Sequence, residues 1–199
     1  MSNKFFTADT HWFHDRMLEF GRPFSSVHEM NETMIYNWNN VVTKSDIVYH
    51  LGDFAFTPKD ELERLVKRLN GQIHWIFGNH DQNRKSTMKA EGFVWKGFYK
   101  EVKVDKQNII LFHYPLATWN KMHRGSIQLH GHCHGKLNQP VGYLRMDVGV
   151  DCNGFAPISA ETILSAMQTK KRLATDCGCV IGVDHHVLDF KELQEKEKQ

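Results

Sequence analysis

Five short apolar runs in this chain each break off at a polar motif, and this recurrence constrains the fold more than any other feature. Phe5-Phe6-Thr7-Ala8 runs into Asp9-Thr10-His11, and Ile47 to Leu51 runs into Gly52-Asp53. Ile73 to Phe77 ends at Gly78-Asn79-His80-Asp81, Ile109 to Phe112 at His113, and Ile127 to His130 at Gly131-His132-Cys133-His134. Short β-branched and aromatic runs bounded by Gly or Asp read as buried strands. Helical periods fall between them. Val27 to Val42 keeps Met30, Met34, Trp38 and Val41 on one face. In Pro58 to Leu69, Thr57 reads as the N-cap, Pro58 as the first helical residue, and Leu62, Leu65, Val66 and Leu69 share a side. Strands alternating with helices imply an α/β domain. Ligands gather at the C-terminal ends of strands in such sheets, so all five motifs are expected on one rim.

The remaining segments are read in the same way. Val94 to His113 has no helical period and reads as strand, turn, strand, with the turn at Asp105-Lys106-Gln107-Asn108. A helix is expected at 83–91 and another from Ser159 to Leu173, which buries Ile163, Leu164 and Met167. Residues 1–175 are expected to form one domain, with 176–199 an extension packed on it and ending in a charged segment. Within that extension Cys179 to Val183 and Val187 to Phe190 read as short strands.

A chain of 199 residues can bury a sizeable core. A net charge of +2 gives no push toward long nucleic acid or a membrane surface. No apolar run approaches the 18 or so residues of a spanning helix. Met1-Ser2-Asn3-Lys4 leads straight into the first strand, so the four cysteines are expected to be thiols of a cytoplasmic protein. The thirteen histidines are the outlying count.

The motifs supply two carboxylates, one amide and several imidazoles. Asp9 and His11 flank one residue, and on an extended segment residues i and i+2 point the same way. His132 and His134 repeat that spacing between glycines, and Cys133 between them is expected to point away as a buried small residue. Oxygen and nitrogen donors without thiolate suit Mn²⁺, Fe or Zn²⁺. Two ions about 3.5–4 Å apart clamp an in-line displacement at phosphorus.

The ordered set resembles the calcineurin-like metallophosphoesterases across about residues 5–135. Residues 1–165 look like the small stand-alone bacterial and phage members, with the opening Thr7-Ala8-Asp9-Thr10-His11 and the following Arg22-Pro23-Phe24. The resemblance implies a two-sheet α/β sandwich flanked by helices, with two divalent ions at the strand ends: Mn²⁺ first, with Fe, Zn²⁺ or Ni²⁺ as alternatives. It implies that Asp9, His11, Asp53 and His134 hold the first ion. Asp53, Asn79, His113 and His132 hold the second, with Asp53 bridging. It leaves His130 unused. It implies that His80 protonates the leaving group or stabilises phosphoryl charge, with Asn79 free to contact a substrate oxygen and a metal-bridging hydroxide as nucleophile. Asp81 is expected to fix the tautomer of His80 and raise its basicity. His14 and Arg22 are candidate substrate contacts.

The resemblance leaves the substrate partly open. Protein phosphatases of the superfamily carry Gly-Asp-x-x-Asp-Arg-Gly and Gly-Asn-His-Glu. Here Gly52-Asp53-Phe54-Ala55-Phe56 and a motif ending in Asp81 stand instead. The expectation is therefore a phosphodiesterase acting on nucleotides or small phosphodiesters. A phosphomonoesterase and a non-catalytic metal-binding scaffold are the alternatives. Cys177, Cys179, His185 and His186 are ligand types without paired spacing and are not assigned a site. The oligomeric state is not legible.

Overall fold

The computed structural model describes residues 2–138 and 142–176, with the side chains of 172–176 excepted. The expected strands of the tail, and Cys177, Cys179, His185 and His186, lie outside the described residues.

Four parallel strands form the first sheet: β1 (Lys4–Thr7), β2 (Ile47–Leu51), β3 (Gln72–Ile76) and β4 (Trp95–Gly97). The second sheet holds β5 (Tyr99–Val104), β6 (Gln107–Phe112), β7 (Ile127–His130) and β8 (Arg145–Asp147). A short strand β9 (Ile158–Ser159) pairs antiparallel with β1 and closes the first sheet, giving the order β4-β3-β2-β1-β9 beside β5-β6-β7-β8.

Strand alternation explains the layering. Phe5, Val48, Ile73 and Trp75 face one way, into a core with Met17 of the one-turn helix α1 (Arg16–Glu19), Met30, Met34 and Trp38 of α2 (Val27–Val41) and Leu62, Leu65 and Val66 of α3 (Lys59–Val66). Phe6, Ala8, Tyr49, Leu51 and Ile76 face the other way. They meet Ile109, Leu111, Ile127 and Leu129 of the second sheet, with Ile163 and Met167 of the C-terminal helix (Ala160–Asp176) in the same core. Both faces of the first sheet are covered, which is why its strands read as continuous apolar runs. The result is an α/β sandwich of two mixed sheets flanked by helices.

Several local expectations are corrected. The hairpin turn is only Asp105-Lys106, both left-handed at φ 45° and 67°, so Gln107 and Asn108 belong to β6. Pro58 is the N-cap of α3 and supplies no side-chain cap, while the Thr57 hydroxyl donates to Glu61. The helix expected at 83–91 is instead a turn of α-helix, Asn79–Gln82, followed by a 3₁₀ turn, Thr87–Lys89. Asn83-Arg84-Lys85-Ser86 offers no apolar residue to bury, and a helix this short is held by packing rather than propensity.

Candidate metal centre

All five motifs emerge at one rim, because the strands that carry them are parallel within each sheet. The first two loops zip together there. Asp9 N–H donates to Gly52 O (3.0 Å), His11 N–H to Asp53 O (3.1 Å) and Trp12 N–H to Phe54 O (2.9 Å). Asp9, His11, Asp53, His132 and His134 all have positive φ, between 48° and 69°. The expected extended geometry of Asp9 and His11 is thus corrected: both sit in left-handed backbone past the end of β1. Such backbone costs roughly 1–3 kcal/mol per residue and concentrates at functional sites. Cys133 is likewise in a turn, half-buried, with its N–H donating to Gly131 O at 2.8 Å.

One cluster is Asp9, His11 and His134, whose donor atoms lie within 4.8 Å of one another. It is buried and buttressed. Asp151 Oδ2 accepts from His134 Nδ1 at 2.7 Å. Arg22 donates to both oxygens of Asp151 (2.8 and 2.9 Å), to Thr10 O (2.8 Å) and to Asp9 O (2.6 Å). The expected substrate contact of Arg22 is corrected on this point. Its side chain is 2% exposed and its donors are engaged by protein acceptors, so it positions the loop of Asp9 and the carboxylate behind His134. The hydrogen bond that His134 donates to Asp151 raises the pKa of His134, while burial pushes Asp9 up to about 7 and His11 well down.

A second cluster is Asp53, His113 and His132, again within 4.8 Å. His113 Nδ1 donates to Leu51 O (2.7 Å), which turns Nε2 inward. There it meets Asn79 Oδ1 (2.9 Å) and Asp53 Oδ2 (3.5 Å), and His132 Nδ1 lies 3.0 Å from the same Asn79 oxygen. Asp53 Oδ2 is also 3.8 Å from His11 Nε2, so one carboxylate oxygen faces a histidine of each cluster. Burial raises the pKa of Asp53, but the hydrogen bond and charge of His113 outweigh it and bring it to about 2. Against its own burial, His113 is lifted to about 9 by that partnership.

Asp81 does not touch the ring of His80. Its Oδ2 accepts from the N–H groups of Asp53 and Gly78 (2.8 Å each) and from the Trp75 indole (3.2 Å), and its Oδ1 accepts from Phe54 N–H (2.9 Å). The expected tautomer role is corrected: Asp81 is a buried clamp on the Asp53 loop. The His80 side chain is 44% exposed, with Nε2 4.0 Å from Asp53 Oδ2. His14 packs against Phe56, ring centroids 3.7 Å apart, beside His11.

A family model, the calcineurin-like phosphoesterase superfamily domain, matches residues 6–150. The chain belongs to that superfamily. An uncharacterized protein of Methanocaldococcus jannaschii is 30% identical over 183 residues, covering 88% of this chain and 97% of its own. The Gene 66 protein of Mycobacterium phage L5 is 27% identical over 184 residues, covering 77% and 89%. A crystal structure of a protein of unknown function from Aquifex aeolicus superposes with a TM-score of 0.67 at 25% identity, over 83% of this chain and all of that one.

The family binds two divalent ions, and the donor set of this calcineurin-like chain fits them. Asp9 Oδ1 and His11 Nδ1 are buried with no hydrogen-bond partner, a costly state for a carboxylate oxygen unless a cation meets it. Nδ1 of His113 is committed to the Leu51 carbonyl, so once Nε2 gives up its proton, Nε2 of His113, Oδ1 of Asn79 and Oδ2 of Asp53 present converging lone pairs that suit a cation. Asp151 escaped the sequence reading. It stands 17 residues past His134 with no motif around it, and only the fold shows that it orients that imidazole.

Proposed function

We propose that this chain is a dinuclear-metal phosphodiesterase acting on nucleotide or other small phosphodiester substrates, with Mn²⁺ as its metal. One observation carries the reading: Asp53 Oδ2 lies between the two clusters, 3.8 Å from His11 Nε2 and 3.5 Å from His113 Nε2. When bound, two divalent ions supply Lewis-acid neutralisation of phosphoryl oxygens and water acidic enough to attack at neutral pH.

The protein's own groups do the rest. Asp53 offers a carboxylate to both clusters. Asn79 turns its carbonyl oxygen to His113 and His132, leaving its NH₂ to donate to a substrate oxygen. His80, exposed beside His11 and Phe56, is in place to give a proton to the departing alkoxide. Asp151 and Arg22 hold His134 in one tautomer and orientation. Arg22 is neutralised by Asp151 and so does not provide the extra cation that a dianionic monoester draws on, which favours the diester.

The test is hydrolysis of bis-p-nitrophenyl phosphate against p-nitrophenyl phosphate by metal-stripped protein with Mn²⁺ restored, with Asp53→Asn as control. Faster turnover of the diester that requires both Mn²⁺ and Asp53 is the expected result. Faster turnover of the monoester moves the function to a phosphomonoesterase. No turnover of either, with two ions bound, overturns the enzymatic reading.

A further inference from the structure

A cavity of 630 Å³ opens beside the first cluster. It is far larger than one phosphodiester group needs and falls in the range of sites that enclose a nucleotide-sized ligand. His11 and His134 of that cluster line it together with His80, the proton donor of the reading above. Its exposed end is formed by Arg16, Phe20, Lys136 and Phe155.

That exposed end is both aromatic and cationic. Phe20 is 65% exposed, and the Arg16 guanidinium lies 5.8 Å from its ring centroid. Phe155 is held at φ 58°, a left-handed conformation that is strained for a bulky side chain. Its ring is fixed edge-on against Phe24 at 4.9 Å, with the Arg22 guanidinium 5.8 Å from its centroid. The charges are uneven. Among the described residues Asp151 is the one acid lining the cavity, and Arg22 and His134 already claim it. Arg16 has only a 3.9 Å contact to Glu19, both side chains being largely exposed, so that pair is weak. Lys136 has no ion pair among the described residues. The mouth therefore carries one unpaired cation, Lys136, and one weakly paired, Arg16, next to aromatic faces that suit a planar ring.

We propose that this cavity is a nucleotide-recognition subsite, in which the base lies on Phe20 and Phe155 and a second phosphate, not the one being cleaved, meets Arg16 and Lys136. The proposal rests on the phosphodiesterase reading for which phosphate is cleaved. The preferred substrates are thus diesters of a nucleotide that carries a further phosphate.

The test has two arms on the full-length, metal-loaded protein. Calorimetry measures the binding of thymidine 3′,5′-bisphosphate and thymidine 5′-phosphate without any turnover. The expected result is roughly tenfold tighter binding of the bisphosphate, an advantage lost in Arg16→Gln/Lys136→Gln, and weaker binding of both ligands in Phe20→Ala. Arg16 and Phe20 are exposed, and metal content checks that the variants fold. Equal affinity for the two ligands in the wild type, or affinities unchanged in the variants, overturns the subsite. The second arm compares kcat/KM for three p-nitrophenyl phosphodiesters: methyl, thymidine 5′ and 3′-phosphothymidine 5′. The bond broken is the same in each, so a rise along that series is expected. Equal turnover of all three with equal affinities sinks the subsite and leaves the phosphodiesterase standing. No turnover of any, with the calorimetric differences intact, does the reverse.

Discussion

The two ligand clusters are built from nearly the same residue types, yet the protein supports them differently. Asp9, His11 and His134 sit behind a charged network: Asp151 fixes His134, and Arg22 fixes Asp151 and the carbonyls of Asp9 and Thr10. His113 and His132 are met by neutral groups instead, namely the Leu51 carbonyl and the Asn79 amide, while the Asp81 carboxylate clamps the Asp53 loop, and His132 is exposed. A glycine makes room in each. A Cβ on Gly131 would strike the Asp9 carboxylate, and one on Gly78 would strike that of Asp53. The comparison teaches that a charged network and a set of backbone and amide contacts can each fix imidazoles of the same kind at one rim. Asp53, between them, ties the two together.

The strongest way to break this comparison is to remove what the clusters share. Asp53→Asn is expected to lower kcat/KM by on the order of 10³ or more and to reduce metal content below two per chain. Full occupancy by elemental analysis would count against a shared carboxylate. Next in size, His80→Ala should slow turnover by roughly 10²–10³ while both metals stay bound, since His80 belongs to neither cluster. Loss of a metal from that variant would turn His80 into a ligand.

Asp151→Asn sharpens the contrast. It should weaken metal binding about 10–100-fold at the first cluster alone, leaving the second unchanged in a titration that resolves two sites. Equal weakening at both would show that the network serves the whole rim. The smallest effect is in pH. Burial raises Asp9 from 3.8 to about 7 in the metal-free chain. The protonated form is favoured there, so its contribution to stability is full below pH 3.8 and is lost as pH rises through 7. A divalent ion must displace that proton. Affinity at the first cluster should therefore fall about tenfold per unit as pH drops below 7, measured by equilibrium dialysis at pH 8, 7 and 6. At the second cluster Asp53 is already ionised across that range, but His113, lifted to about 9, carries a proton that an ion must displace, so affinity there should fall about tenfold per unit from pH 8 down to 6.

Much of this was legible in the chain. The apolar runs gave the principal strands, and α2 begins and ends within a residue of its periodic stretch. Strand β9, only two residues long, carried no such signal. The tertiary sense of two charged residues was not readable either. Arg22 reads as a phosphate contact because a guanidinium suits one, and Asp81 as a histidine partner because it neighbours His80. Both are instead buried against backbone groups far away in sequence, and hydrogen-bond demand of that kind has no periodicity.

The sequence by itself determined which candidate ligands stand at the strand ends and that they share one rim. An apolar run ending at a polar residue fixes where a strand stops, and parallel strands stop on the same side. Only the tertiary structure decided how those residues meet. The left-handed turns at Asp9, His11, Asp53, His132 and His134, the Arg22–Asp151–His134 chain and the cavity beside it arise from contacts between separate segments, the Arg22–Asp151 pair being 129 residues apart. Their geometry is set by the packing of two sheets against each other, which no local pattern encodes.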